Sequence, residues 1–311
     1  MALSKLSHDE QGIVFSQLCN VLDPGIAVAL SSVSHELRAA TLSLLKQLEA
    51  DHKAAAALCR KLGDRRTKKL RKARSVYWHD LGLIEADLSL LGTLGSVLPA
   101  LKDMWLHERA AGPDSMQRLA KGLGEESLPA VISLHLSMHA GDAGASAFAD
   151  ALGRGALPRL QLLSLEHAAI GDAGLVALAP ALWRRPALTF LHLSSNLFGD
   201  EGLAALVAPL PRAGAPPTTT AGLKKLKLLD LASTQVTDAG CAILAAALKS
   251  GALPALKKLF LSGIPASAAA QAAVCDARAA LECDWKSYAY NVQNLGLASA
   301  PATPMVDDVG P

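Results

Sequence analysis

One short block recurs along this chain, and its period constrains the fold more than any other feature. Each copy reads Leu-x-x-Leu-x-Leu, then Gly-Asp-x-Gly, then a run rich in Ala and Leu. The clearest copies are residues 160–165 with Gly171-Asp172-Ala173-Gly174, and residues 226–231 with Asp238-Ala239-Gly240. The first apolar residues of the blocks are Ala73, Leu101, Val131, Leu160, Leu188, Leu226 and Leu256. They recur every 28–30 residues, with one gap of 38. A unit of this size cannot bury its own apolar face, so repetition at a fixed period predicts a stacked solenoid. The long gap contains Pro211-Arg212-Ala213-Gly214-Ala215-Pro216-Pro217-Thr218-Thr219-Thr220. Its prolines and small polar residues predict a flexible surface insertion at 211–222.

Within each block the leucines alternate, so they point to one side of a short strand and the residues between them to the other. Stacked strands then form a parallel sheet. Asp142, Asp172, Asp200 and Asp238 follow the strands and read as N-caps, since a carboxylate accepts the unpaired N–H groups of a first helical turn. Beyond them the apolar residues fall on one helical stripe: Ala145, Phe148, Leu152; Leu175, Leu178, Leu182; Leu203, Leu206, Leu210; Cys241, Leu244, Leu248.

On these residues the chain resembles the leucine-rich repeats of the ribonuclease-inhibitor type, over roughly residues 73–280. The resemblance implies an α/β horseshoe of about seven units, with parallel strands on the concave face and helices outside. Members usually carry Asn after the strand. Asn196 keeps it and Thr234 is a stand-in, whereas Arg109, His139, Ala168 and Ile264 hold the position elsewhere. Such repeats mostly bind proteins along the concave face.

The strand register names the residues of that face. A central column runs Tyr77, Trp105, His135, Ser164, His192, Asp230, Phe260. Beside it run His79, His107, Ser137, Glu166 on one side, and Phe190 and Leu228 with their equivalents on the other. Large aromatic side chains there are not required by the repeat core, and they are the usual anchors of protein interfaces. The expected partner-binding set is Tyr77, Trp105, His107, His135, Glu166, Phe190, His192, Asp230 and Phe260, read as solvent-exposed. His79 and His107 share a column on adjacent rungs, but no Cys or carboxylate completes a tetrahedral site with them, so no metal and no cofactor are expected. Gly-x-Ser-x-Gly, phosphate-loop and His-Glu-x-x-His motifs are absent from the sequence, and the Gly-Asp pairs recur with the repeat. That pattern is structural, and no catalytic residue is assigned.

Residues 1–62 do not follow the repeat and read as an all-α module. Ser7-His8-Asp9-Glu10 has capping-box spacing, Asp23-Pro24-Gly25 interrupts the helical pattern, and a longer helix is expected from about Ser34 to Gly63. The stretch 6–38 resembles an F-box in Leu6, in Val14-Phe15-Ser16-Gln17-Leu18 and in Leu30-Ser31-Ser32-Val33-Ser34. That resemblance implies docking to the adaptor of a Skp–cullin–F-box ubiquitin ligase through Leu6, Val14, Phe15, Leu18 and Val33. A helical cap over the first repeat explains the same leucines. A basic linker, 63–72, follows and reads as a solvated charge run.

A net charge of +2 predicts no strong field, so neither nucleic acid nor membrane is an expected partner. Five cysteines without metal spacing, and a start without a signal-peptide core, fit reduced thiols in an intracellular protein, cytoplasmic or nuclear. Residues 281–311 lose the repeat and read as a largely disordered tail, although Trp285, Tyr288 and Tyr290 are unusual in one. A structural subunit of a larger assembly is the alternative to a recognition module.

Overall fold

The computed structural model describes residues 7–33, 35–63, 67–108, 111–112, 114–207 and 222–284. Leu6, Arg109, the insertion at 211–221, and Trp285, Tyr288 and Tyr290 lie outside these residues.

The chain begins with helices α1 (His8–Leu18), α2 (Gly25–Ser31) and α3 (His35–Lys61). The capping box forms: Glu10 Oε2 accepts the Ser7 N–H at 2.8 Å, and Ser7 Oγ accepts the Glu10 N–H at 3.3 Å. Phe15, Ala27 and Leu48 make a small core there. The second half of α3 belongs to a different core. Ala55, Leu58, Cys59 and Leu62 join Leu70 of α4 (Thr67–Lys72) and Trp78 of the first repeat, continuous with the leucines of the stack. The basic run is therefore not a plain linker. Leu70 is fully buried, and Lys68 and Arg71 face Asp23 at 3.1 and 3.8 Å, while Lys61 pairs with Asp87 at 2.5 Å.

Eight strands follow in one parallel sheet, in sequence order: β1 (Ser75–His79), β2 (Asp103–Glu108), β3 (Ser133–Met138), β4 (Leu162–Ser164), β5 (Phe190–His192), β6 (Leu228–Asp230), β7 (Lys258–Phe260) and β8 (Glu282–Asp284). Between them lie α5 (Glu85–Leu94), α6 (Ser115–Gly122), α7 (Gly141–Gly153), α8 (Asp172–Trp183), α9 (Asp200–Val207), α10 (Asp238–Lys249) and α11 (Ala268–Asp276). Leu134, Leu163, Leu191, Leu229 and Leu259 pair rung to rung and are buried against the helices. The helical stripes, including Phe148, Leu178 and Leu244, fill the same core.

The motif aspartates do something the local pattern does not predict. Asp172 opens its own helix, but its carboxylate caps the next one: Oδ1 accepts the N–H groups of Gly199 at 2.8 Å and Gly202 at 2.7 Å. Asp142 serves Gly171 and Gly174 in the same way, Asp200 serves Thr237, and Asp238 serves Ser267. The other helix ends have a matching device. Arg154 donates to the Ala120 and Leu123 carbonyls, Arg185 to those of Leu152 and Leu157, and Arg278 to those of Leu248, Ala252 and Leu253. Acid at the N-termini and base at the C-termini complement the helix dipoles between repeats.

Two expectations at the C-terminal end are corrected. Residues 282–284, read as tail, form β8, held by the Glu282 N–H on the Lys257 carbonyl at 2.8 Å. Backbone pairing at a sheet edge needs no apolar pattern, so the sequence does not announce it. Cys275 and Cys283, read as reduced thiols, are joined in a disulfide that ties the end of α11 to β8; Cys19, Cys59 and Cys241 are in no disulfide. No described helix is long and apolar enough to cross a membrane.

Candidate binding face

The ladder places Tyr77, Trp105, His135, Ser164, His192, Asp230 and Phe260 in one column, as the alternation predicts. It points away from the helices. Along the sheet this face divides into three parts.

The first is aromatic. The Trp105 ring stacks on His135 with centroids 3.5 Å apart, Tyr77 lies 5.8 Å from Trp105, and His79 stacks on His107 at 5.4 Å. Tyr77 is 46% exposed, and Trp105 and His107 are half-buried. The tyrosine hydroxyl is pushed above its ordinary range by burial and by the nearby Asp103 carboxylate.

The second part is ionisable. His192 Nδ1 lies 3.6 Å from Glu166 Oε1 and 3.7 Å from Asp230 Oδ2. The other Asp230 oxygen accepts the Ala232 N–H at 3.0 Å, which fixes the carboxylate with Oδ2 toward the imidazole. The Glu166 carboxyl is raised above the usual carboxylate range by burial, against the pull of His192; Asp230 adds to the rise and the Ser164 hydroxyl opposes it. His135 is held down to about 3 by burial, then by His192 and His107.

The third part is apolar: Leu228, Ala232 and Phe260 cluster, with Phe190 against them.

The expected exposure of this face is corrected. His135, Ser164, His192, Asp230 and Phe260 are buried, each at 5% exposure or less. Rungs in register stand only about 4.8 Å apart, so each central side chain is sandwiched by its neighbours, as the Trp105–His135 stack shows. Glu166 and Phe190 are half-buried. The contact of Glu166, His192 and Asp230 was not legible by columns. His192 and Asp230 are neighbours in the central column, but Glu166 belongs to the next one, and the reading of ligands within a column paired only His79 with His107.

In the N-terminal module the adaptor-facing set is also divided. Phe15 is fully buried at the centre of the module core, packed with Ala27 and Leu48, so it is not on a docking surface. Val33 is 71% exposed, Val14 is half-buried, and Leu18 ends α1.

A family model described as a leucine-rich repeat matches three stretches of the chain, residues 158–179, 186–207 and 222–245. They coincide with β4–α8, β5–α9 and β6–α10. No curated protein matches the sequence. Among solved structures, the crystal structure of a protein from Bacteroides fragilis is similar over 73% of this chain and 68% of its own, at 13% identity and a TM-score of 0.41. With its eight parallel strands in chain order and the repeat matched in its central units, the chain is an α/β solenoid of leucine-rich repeats with a helical N-terminal region.

Proposed function

We propose that this chain is a non-enzymatic recognition module that binds a protein partner on the sheet face away from the helices, at its aromatic end. The observation that carries this reading is the row formed by Tyr77, Trp105, His79 and His107, with a tyrosine 46% exposed where the repeat core does not need one. Large rings held by stacking lose little side-chain entropy on binding, which suits them as anchors. The period of 28–30 residues, with a full helix in most units, supports the ribonuclease-inhibitor-like subtype. Affinity purification of the full chain, with partners identified by mass spectrometry, is the first test. Tyr77→Ala with Trp105→Ala is expected to lose the partner. Full retention by that double variant would refute the assignment.

A second reading has its own support at the N-terminus. Ile13, Ile26 and Val33 are each more than 60% exposed on a small helical module, an arrangement suited to a protein surface. In this reading residues 6–38 dock a ubiquitin-ligase adaptor inside the cell and the repeats select the substrate. Ile26→Asp with Val33→Asp then abolishes adaptor co-purification and leaves the repeat partner bound. If instead the chain co-elutes with fixed partners that neither pair of substitutions releases, the structural-subunit alternative is favoured.

A further inference from the structure

We propose that Glu166, His192 and Asp230 form a binding site for a zinc-class divalent cation, built across three consecutive repeats. One ligand atom from each residue lies within 4.8 Å of the others, and His192 Nδ1 stands 3.6 and 3.7 Å from the two carboxylate oxygens. A tetrahedral ion with bonds of about 2.0–2.1 Å holds its ligand atoms about 3.4 Å apart. The two edges at His192 are therefore a few tenths of an ångström longer than those of a filled site, and the edge between the carboxylates is no longer than 4.8 Å.

Two of the three ligands are also fixed and sequestered. His192 is 1% and Asp230 4% exposed, and both stand on strands whose backbones are locked in the ladder. The Ala232 N–H holds the second Asp230 oxygen, the kind of outer support that orients a metal-binding carboxylate. Two acidic side chains, Asp230 buried and Glu166 half-buried, meet beside the imidazole, and a dication is their complement in charge. One imidazole nitrogen and two carboxylate oxygens are an intermediate donor set. They suit zinc, or manganese with added water, better than calcium, which takes six or more oxygens. Three protein ligands leave the fourth position of a tetrahedral ion for water or for a side chain of a bound molecule.

The test uses the full chain, stripped with chelator and titrated with zinc chloride by calorimetry and against a chromophoric zinc chelator. One zinc per chain is expected. Glu166→Gln and Asp230→Asn, which keep shape and remove charge, are expected to weaken binding by more than about tenfold. His79→Ala with His107→Ala is expected to leave it unchanged. Zinc is also expected to raise the melting temperature of the wild type and not of the two charge variants. The proposal is overturned if zinc does not bind. It is equally overturned if Glu166→Gln and Asp230→Asn bind as the wild type does. Should either variant fail to fold, cobalt(II) added to the wild type decides. Intense visible d–d bands without sulfur charge transfer support this N,O,O site, and a weak octahedral spectrum or thiolate bands overturn it.

Discussion

Asp172 Oδ1 lies 2.7 Å from the backbone nitrogen of Gly202, across the gap between α8 and α9. The second glycine of the Gly-Asp-x-Gly motif follows from this contact. A Cβ on Gly202 would stand 2.9 Å from the same oxygen, and one on Gly174 2.6 Å from Asp142 Oδ1. The carboxylate of one repeat occupies the space that a side chain of the next would need. The recurring glycine and aspartate are two halves of one joint, placed in successive units.

This joint has a thermodynamic signature. Gly→Ala inside a helix ordinarily stabilises by about 1 kcal/mol. Gly202→Ala is expected to destabilise instead, because the added Cβ meets the Cβ atoms of Leu175 and Phe198 at 3.2 Å each as well as the Asp172 carboxylate. Asp172→Ala is expected to cost about 1–2 kcal/mol, as for loss of a helix cap. The two are coupled, so the double variant costs less than the sum of the singles. Additive costs in urea denaturation would show that the contact is incidental.

Stability against acid should carry the mark of His135. Burial, with His192 and His107 nearby, holds its folded-state pKa at about 3, from an ordinary value of 6.5. Below the unfolded value the unfolded chain takes up a proton that the folded chain refuses. This contribution is therefore fully present above about pH 6.5 and is lost as pH falls toward 3, by up to about 1.4 kcal/mol per pH unit. His135→Phe keeps a ring against Trp105 and removes the titration. Its urea midpoint is expected to fall less steeply with acid over that window, and an unchanged slope would contradict the assignment.

Replacing Leu191, fully buried between Leu163 and Leu229, by Ala is expected to cost roughly 2–5 kcal/mol. Leu197, 61% exposed in the loop after the strand, is expected to stay within about 0.5 kcal/mol. Equal costs in chemical denaturation would mean that the register is wrong.

What the sequence made legible, and what it did not, divides by range. Strand alternation is local, so the column from Tyr77 to Phe260 and the core leucines could be read directly. Thr234 does stand in for asparagine, its Oγ1 donating to the Leu231 carbonyl, whereas Asn196 ties together Leu165, Ile170, Leu193 and Ser194. The aspartates were legible as caps but not in their targets. A capping motif is defined within one helix, and these carboxylates reach the next. The Glu166–His192–Asp230 group and the burial of the face were hidden for the same reason. Both depend on how rungs crowd one another, which no single strand encodes.

The C-terminal end provides the last test. With Cys275 and Cys283 joined, the denatured, unreduced chain is expected to show three free thiols, those of Cys19, Cys59 and Cys241. Five thiols would remove the bond. Its effect should be confined to the end of the stack, because among the described residues β8 is the last strand of the sheet and pairs with β7 alone. An intact bond restricts the unfolded chain over a short loop, worth about 2 kcal/mol. Reduction is therefore expected to speed amide exchange in residues 277–284 and to leave β4 and β5 protected. If exchange rises equally in Leu163 and Leu191, the terminal strand is coupled to the whole solenoid, and the disulfide contributes to its overall stability rather than to one edge.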